Sequence, residues 1–178
     1  MASLRFGRTE TVLGPMWMAE TDAGLAACSR SDALERFLDG LRRRFPGAEP
    51  VPGEVDASWV GSRVVPPVDL GGLSTFDRRV YEVVRAVAPG ETVTYGEVAA
   101  LIGSPGAARA VGGAMARCPL FPAVPCHRVV RAADGWSGWG GGDVALKRRL
   151  LEAERHGHAG ERRAVRHPMR VGDAGVDG

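Results

Sequence analysis

Val124-Pro125-Cys126-His127-Arg128-Val129-Val130 is the stretch from which the rest of this sequence is best understood. Proline restricts the residue before it to extended conformations, and valines favour pleated structure. We therefore expect an extended, at least half-buried segment in which the side chains of Cys126 and His127 point to opposite faces. A histidine close to a buried thiol favours the thiolate, the nucleophilic form of cysteine. The alternative is an ordinary core cysteine, because free cysteines are among the most buried residues.

The bulk composition is typical of a soluble globular protein. A chain of 178 residues holds one large domain or two small ones, and its net charge of +2 permits nucleic-acid binding only through a local basic surface. We find no membrane-spanning run and no secretory signal, so we expect a cytoplasmic protein with no membrane partner. Three cysteines and four histidines without paired ligand spacing argue against a disulfide framework and against a metal site.

Residues 1–72 predict an N-terminal α/β domain. Short apolar runs separated by glycine-containing turns predict a β-hairpin or meander over residues 1–30, with Cys28 inside it. Ser31 is the expected cap of the helix that follows. Residues 46–72 are rich in proline, glycine and isolated valines, which is typical of a linker at a domain boundary.

Residues 73–157 predict a second, mainly helical domain. Thr94 and Glu97 have the spacing of a capping box at the start of a short helix. After a glycine, Ser104 is the expected cap of another helix, with Pro105 at its first position, where a missing N–H group is harmless. Two short helices across a tight turn predict a helix-turn-helix.

The second of these helices, over residues 106–115, contains three glycines and one long cation, Arg109. Each glycine costs about 1 kcal/mol of helix stability relative to alanine, so something should offset that cost. Small side chains would let another surface approach the helix closely, with Arg109 projecting from it. Tight packing against a neighbouring helix is the alternative explanation.

The sequence after the cysteine predicts a loop, a last helix and a tail. Residues 136–142 are mostly glycine and tryptophan and predict a flexible loop. Asp143 is the expected cap of the final helix, which carries Glu154. Beyond about His156 the chain is polar and rich in glycine and arginine, so residues 158–178 predict a disordered tail.

Four motifs, in this order, resemble those of the O6-alkylguanine-DNA alkyltransferases, the methylated-DNA–protein-cysteine methyltransferases. They are TYGEVA at 94–99, AARAVG at 107–112, PCHRV at 125–129 and LLEAE at 150–154. The likeness is strongest over residues 73–154 and is specific because the cysteine motif follows an arginine-bearing helix. The resemblance implies a ribonuclease-H-like α/β N-terminal domain and a mainly α C-terminal domain with a helix-turn-helix.

The chemistry that the resemblance implies is the repair of alkylated DNA by one irreversible turnover. Cys126 would take the alkyl group from O6 of guanine, since a thiolate is a soft nucleophile suited to attack on saturated carbon. His127 would act as a base through one water, with Glu154 orienting it. Tyr95 would donate a hydrogen bond to N3 of guanine. No metal and no organic cofactor is implied.

The partner that the resemblance implies is double-stranded DNA containing O6-alkylguanine, bound through its minor groove by a monomer. The damaged nucleotide must be flipped out to reach the thiol. Small residues and two arginines would bind the DNA: Ala107, Ala108, Arg109, Gly112 and Arg117. Backbone groups of Cys126 and Val129 would read the base edge, and the loop containing Trp139 and Gly140 would close over it.

Three departures from the family pattern stand out. Cys118 replaces the usual asparagine, Trp139 replaces the usual tyrosine, and the tail has no counterpart. We expect Cys118 to be buried and less reactive than Cys126.

The competing interpretations are an alkyltransferase-like protein that binds the lesion without transfer, a helix-turn-helix regulator and a Cys-His hydrolase. A glycine-rich helix has few side chains to read base edges, and a hydrolase needs an oxyanion hole.

Overall fold

The computed structural model describes residues 3–135 and 143–157. The chain divides into two compact units, of which the first comprises residues 1–81 and 117–126. The second comprises residues 82–116 and 127–178. Cys126 is thus the last residue of the first unit. The division into residues 1–72, 73–157 and 158–178 that the sequence favours stays a prediction.

A four-stranded sheet forms the framework of the first unit. Its strands are β1 (Arg5–Thr11), β2 (Gly14–Thr21), β3 (Gly24–Ser29) and β4 (Val51–Pro52), in the order β3-β2-β1-β4. The first three strands form an antiparallel meander, as the sequence predicted, and β4 pairs in parallel with β1. Gly24 has φ of 129°, and a Cβ there would lie 2.4 Å from the carbonyl oxygen of Pro67, so only glycine fits this turn.

Helix α1 (Leu34–Arg44) packs on this sheet through its apolar side. The buried side chains of the resulting core are Leu4, Phe6, Ala19, Ala26, Ala27, Phe37, Leu38 and Leu41. The predicted cap was wrong: the N-cap is Ala33, without a side-chain hydrogen bond. The Ser31 hydroxyl instead accepts from the backbone N–H of Ala33 at 3.2 Å, the local turn that competes with capping.

The stretch predicted as a linker is attached to the first unit at several points. It contributes β4, and the guanidinium of Arg44 donates hydrogen bonds to the carbonyl oxygens of Asp69 and Gly71. Leu25 also exchanges backbone hydrogen bonds with it, donating to Pro67 and accepting from Asp69. A proline-rich segment can be ordered by donors from elsewhere, which the local sequence does not reveal.

Helices α2 (Thr75–Arg85), α3 (Tyr95–Leu101), α4 (Ala108–Arg117) and α5 (Val144–Gly157) account for most of the remaining described residues. Two short strands, β5 (Val93–Thr94) and β6 (Val129–Val130), pair in parallel. The capping box is confirmed: the Thr94 hydroxyl accepts from the N–H of Glu97, and the Glu97 carboxylate accepts from that of Thr94. Within residues 3–135 and 143–157, no helix is long and apolar enough to cross a membrane.

Two local predictions differ from the structure. Residues 105 and 106 lie in a turn closed by the Ala107 N–H and the Ser104 carbonyl, at 2.9 Å, so α4 begins only at Ala108. Proline followed by glycine favours such a turn over a helix start. Cys126–Arg128 forms a short 3₁₀ helix rather than an extended segment. Proline restricts only the residue before it and leaves Cys126 free to turn.

Candidate active site

Glu154, on α5, accepts hydrogen bonds from three other residues of the second unit. Its Oε1 lies 2.7 Å from Nε2 of His127 and 2.9 Å from a terminal guanidinium nitrogen of Arg128. Its Oε2 accepts from Nε of Arg128 and from the backbone N–H of Gly90, both at 3.1 Å. Arg128 also donates to the carbonyl of Val87 at 2.7 Å. Arg128 is therefore a structural partner of Glu154.

The protonation states of the His127–Glu154 pair follow from burial and hydrogen bonding. His127 is 3% exposed, and burial lowers its pKa despite the neighbouring carboxylate. Burial alone would raise the pKa of Glu154, but the hydrogen bonds from His127, Arg128 and Gly90 outweigh it and lower that pKa to about 2. At neutral pH the carboxylate is ionised and the imidazole is neutral. Nε2 therefore carries the proton, and Nδ1 holds the lone pair that can accept one.

Cys126 lies in the first unit and is 2% exposed. Its backbone N–H donates to the carbonyl of Val124 at 2.8 Å. The buried phenol of Tyr81 belongs to the same unit; burial raises the pKa of Tyr81, and the charges of Cys118, Asp77 and Cys126 raise it further. The burial of Tyr81 was not predicted from the sequence. Its position next to apolar residues of a helix is the only feature of the sequence that indicates it.

Tyr95 begins α3, and its ring faces Gly112 of α4. A Cβ built on Gly112 would lie 3.9 Å from two ring carbons of Tyr95, which is ordinary van der Waals contact. Around Gly106, no described atom lies within 4 Å of such a Cβ. Crowding inside the described structure therefore does not require glycine at either position.

The two arginines predicted to bind DNA have different environments. Arg109 is exposed on α4, and the described residues give it no hydrogen bond or ion pair. Arg117, the last residue of α4, donates to the carboxylate of the buried Asp77 at 2.9 Å. Ala107 precedes α4, and the other four of the five predicted residues lie on it.

Val129 is buried in β6 and pairs with Val93. Its carbonyl oxygen accepts a hydrogen bond from Nζ of Lys147 at 2.6 Å. Lys147 is 1% exposed, although a lysine in an amphipathic helix is usually solvated, and no local pattern indicates its burial. The other two predicted pocket residues, Trp139 and Gly140, lie outside the described residues.

Cys118 is half-buried, whereas we expected it to be buried. Cys28 is also half-buried, and Cys126 is the buried cysteine of the three. In the part of the chain that the structure describes, no group of three or more histidine, cysteine, aspartate or glutamate side chains could hold a metal ion.

Comparison with known proteins identifies the family. Residues 75–156 match the model of the 6-O-methylguanine DNA methyltransferase, DNA binding domain. The crystal structure of Mycobacterium tuberculosis OGT in complex with DNA is 32% identical, with a TM-score of 0.65 over 86% of this chain and 93% of that chain. The chain belongs to the O6-methylguanine-DNA methyltransferase family.

Two curated members of the methyltransferase family show the same relationship. The methylated-DNA–protein-cysteine methyltransferase of Methanothermobacter thermautotrophicus is 40% identical over 122 residues, which is 68% of this chain and 61% of the relative. That of Mycobacterium leprae is 42% identical over 104 residues, 58% of this chain and 62% of the relative. The chain thus spans less than two thirds of the length of these methyltransferases. The resemblance recognised in the sequence is confirmed at the level of the family.

Proposed function

We propose that this protein repairs DNA by direct reversal, as a methylated-DNA–[protein]-cysteine S-methyltransferase that acts once. Cys126 receives the alkyl group of O6-alkylguanine. The observation that carries this proposal is the neutral His127, bonded through Nε2 to an ionised Glu154 and joined directly in the chain to Cys126. A nucleophile, a base and a residue that orients the base are the groups that this transfer needs.

The proposed reaction moves one proton and one alkyl group. Nδ1 of His127 takes the thiol proton of Cys126 through a water, and the thiolate attacks the carbon attached to O6. A carbon–sulfur bond forms while the carbon–oxygen bond breaks, the electron pair of that bond stays with the departing guanine, and Tyr95 donates a hydrogen bond to its N3. Glu154, with its pKa of about 2, stays ionised and holds the imidazole in place. The thioether that results is not hydrolysed, so the protein is consumed.

The proposed partner is double-stranded DNA, approached from its minor groove by α3 and α4 acting as a helix-turn-helix. Two features of α4 support this role: Arg109 is exposed, and no described neighbour requires glycine at position 112. We propose that the small residues admit the groove closely and that Arg109 fills the gap left by the flipped nucleotide. Arg117, although paired with Asp77, contributes charge at the end of the helix.

The remaining parts of the proposal rest on the family resemblance. The backbone of Val129 reads the base edge, and Trp139 and Gly140 close over it. Residues 1–72 form the ribonuclease-H-like domain, and the protein acts as a monomer in the cytoplasm. The curated relatives that the chain matches are named methyltransferases, which favours transfer over lesion binding alone.

The mass of the intact protein tests the proposed function. After mixing with duplex DNA containing O6-methylguanine, we expect a gain of one CH₂ unit per chain, mapped to Cys126. Cys126→Ser should show no gain in mass, because a hydroxyl is far less ionised than a thiol at neutral pH. The variant should still bind the same duplex with nearly unchanged affinity. Tight binding without a gain in mass would indicate the lesion-binding alternative, and a gain that maps elsewhere would overturn the assignment of the nucleophile.

A further inference from the structure

The proposed function uses one of the three cysteines and leaves Cys28 and Cys118 unexplained. Both belong to the first unit, and both are half-buried. The backbone N–H of Cys28, in β3, donates to the carbonyl oxygen of Pro119 at 2.7 Å. Cys118 directly precedes Pro119 in the chain, and the Cα atoms of consecutive residues are about 3.8 Å apart. The backbone segments that carry the two cysteines are therefore neighbours, which a disulfide between them requires.

The direction of the Cys28 side chain follows from the register of the sheet. Cys28 pairs with Met18, and Ala27 pairs with Ala19. Ala19 and Ala27 belong to the core formed with α1. Since neighbouring residues of a strand point to opposite faces, Cys28 lies on the face of Met18, away from α1. Its thiol therefore points away from the helix-covered core.

The two thiols also act on each other electrostatically. Burial raises the pKa of Cys28, and the charge of Cys118 raises it further. This interaction agrees with the neighbouring positions of the two backbone segments. The raised pKa of Cys28 disfavours its thiolate, so Cys118 is the thiol of the pair that reacts first with an oxidant.

We propose that Cys28 and Cys118 form a redox-active pair that hydrogen peroxide converts into an intramolecular disulfide. The Cys118 sulfur attacks one peroxide oxygen, the O–O bond breaks, and a sulfenic acid and one water result. The Cys28 sulfur then displaces the sulfenic hydroxyl, which leaves as a second water. Two thiols are oxidised, one peroxide is reduced, and the two thiol protons end in the two waters.

The pair has a consequence for the first unit and for Cys126. A disulfide would join β3 to the start of the segment 117–126, which ends at Cys126. It would close a long loop of chain and raise the Tm, because long loops restrict the unfolded state most. Cys126 is buried, whereas Cys118 is half-exposed, so peroxide reaches the pair first and the alkyl acceptor stays reduced.

The test is to expose the reduced full chain to an equimolar amount of hydrogen peroxide and to weigh it intact. We expect a loss of two hydrogens, with no added oxygen, and a higher Tm that a dithiol reductant reverses. Trypsin leaves Cys118 and Cys126 together in the peptide 118–128. A second digestion with chymotrypsin at Leu120 separates them, and the peptide containing Cys28 should be bonded to that containing Cys118.

Three variants serve as controls. Cys28→Ser and Cys118→Ser should each fail to lose two hydrogens, whereas Cys126→Ser should lose them as the natural chain does. A disulfide that includes Cys126, a bond between two chains, or oxygen added at Cys126 while the pair stays reduced would overturn the proposal. If a serine variant does not fold, the peptide map of the natural chain still decides the result. Methyl transfer adds mass to Cys126, so failure of the repair function is read separately.

Discussion

The imidazole of His127 donates its Nε2 proton to Oε1 of Glu154 over 2.7 Å, within a carboxylate that also accepts from Arg128 and Gly90. This arrangement ties the segment that follows Cys126 to α5, and it sets which ring nitrogen of His127 can accept a proton. Both groups have a lowered pKa. Acid should therefore destabilise the fold, and it should also impair His127 as a base.

The stability of the protein should fall with pH in a window that Glu154 defines. Its pKa is 4.5 in an unfolded chain and about 2 in the fold, so the unfolded chain binds the proton first. The stability that this carboxylate contributes is present above pH 4.5 and is lost as the pH falls towards 2. After allowance for solvent screening it amounts to about 2 kcal/mol. The lowered pKa of His127 acts in the same direction, beginning at pH 6.5.

Urea unfolding at a series of acidic pH values checks this expectation in Glu154→Gln. The variant should be less stable than the natural protein at neutral pH, and its stability should depend less on pH below 4.5. Glu152→Gln, an exposed change on the same helix, is the matched control and should keep the natural slope. A Glu154→Gln slope equal to the natural one would mean that other carboxylates cause the acid sensitivity.

Replacing the buried Lys147 with methionine should destabilise the protein. Methionine keeps most of the apolar stem but removes the donor to the Val129 carbonyl, and an unsatisfied buried acceptor costs about 1–3 kcal/mol. The free energy of unfolding in urea measures the loss. Arg149→Met, on the exposed side of α5, should change it little. Equal effects of the two changes would show that the hydrogen bond to Val129 contributes nothing.

Arg109→Ala should slow the repair of duplex DNA by about tenfold or more, because loss of 1.4 kcal/mol from the flipped state has that effect. The rate with free O6-benzylguanine, which needs no flipping, should change little. Arg36→Ala removes an equally exposed charge from α1 and is the matched control. Single-turnover rates on both substrates make the comparison. Equal losses on both would place Arg109 in the fold or the base pocket.

Gly112→Ala should have opposite effects on the stability of the protein and on its binding of duplex DNA. Alanine should raise the free energy of unfolding by up to ~1 kcal/mol, because the added methyl meets the ring of Tyr95 at an ordinary contact distance. If α4 enters the minor groove, the same methyl should weaken duplex binding, measured by fluorescence anisotropy. Gly40→Ala in α1, where no described atom lies within 4 Å of the new methyl, should stabilise without weakening binding. Unchanged binding by Gly112→Ala would contradict close approach at this position.

The sequence predicted those features that neighbouring residues encode. The meander of β1 to β3 and the capping box of Thr94 and Glu97 depend on spacing within a few residues, and both are present. The cysteine motif likewise carried the family resemblance. Local signals failed where two conformations competed, as at Ser31.

Other parts of the site depend on residues far apart in the chain. The hydrogen bond from Gly90 to Glu154 joins residues 64 positions apart, and that from Arg128 to Val87 joins residues 41 apart. Neither glycine nor arginine has a pattern that identifies such a partner. The burial of Lys147 is of the same kind, since a helix of mixed polarity does not show which of its cations lies inside.

Four N–H groups fill the carboxylate of Glu154, which is about as many hydrogen bonds as a carboxylate can accept. These bonds hold the carboxylate, whose side chain is only 17% exposed, against the ring of His127 and fix the orientation of that ring. A solvated imidazole would lose rotational freedom when substrate binds, whereas the ring of His127 has already lost that freedom when the chain folds. In the proposed reaction, the DNA therefore has no need to orient the base, and the energy of lesion binding remains available for extruding the nucleotide.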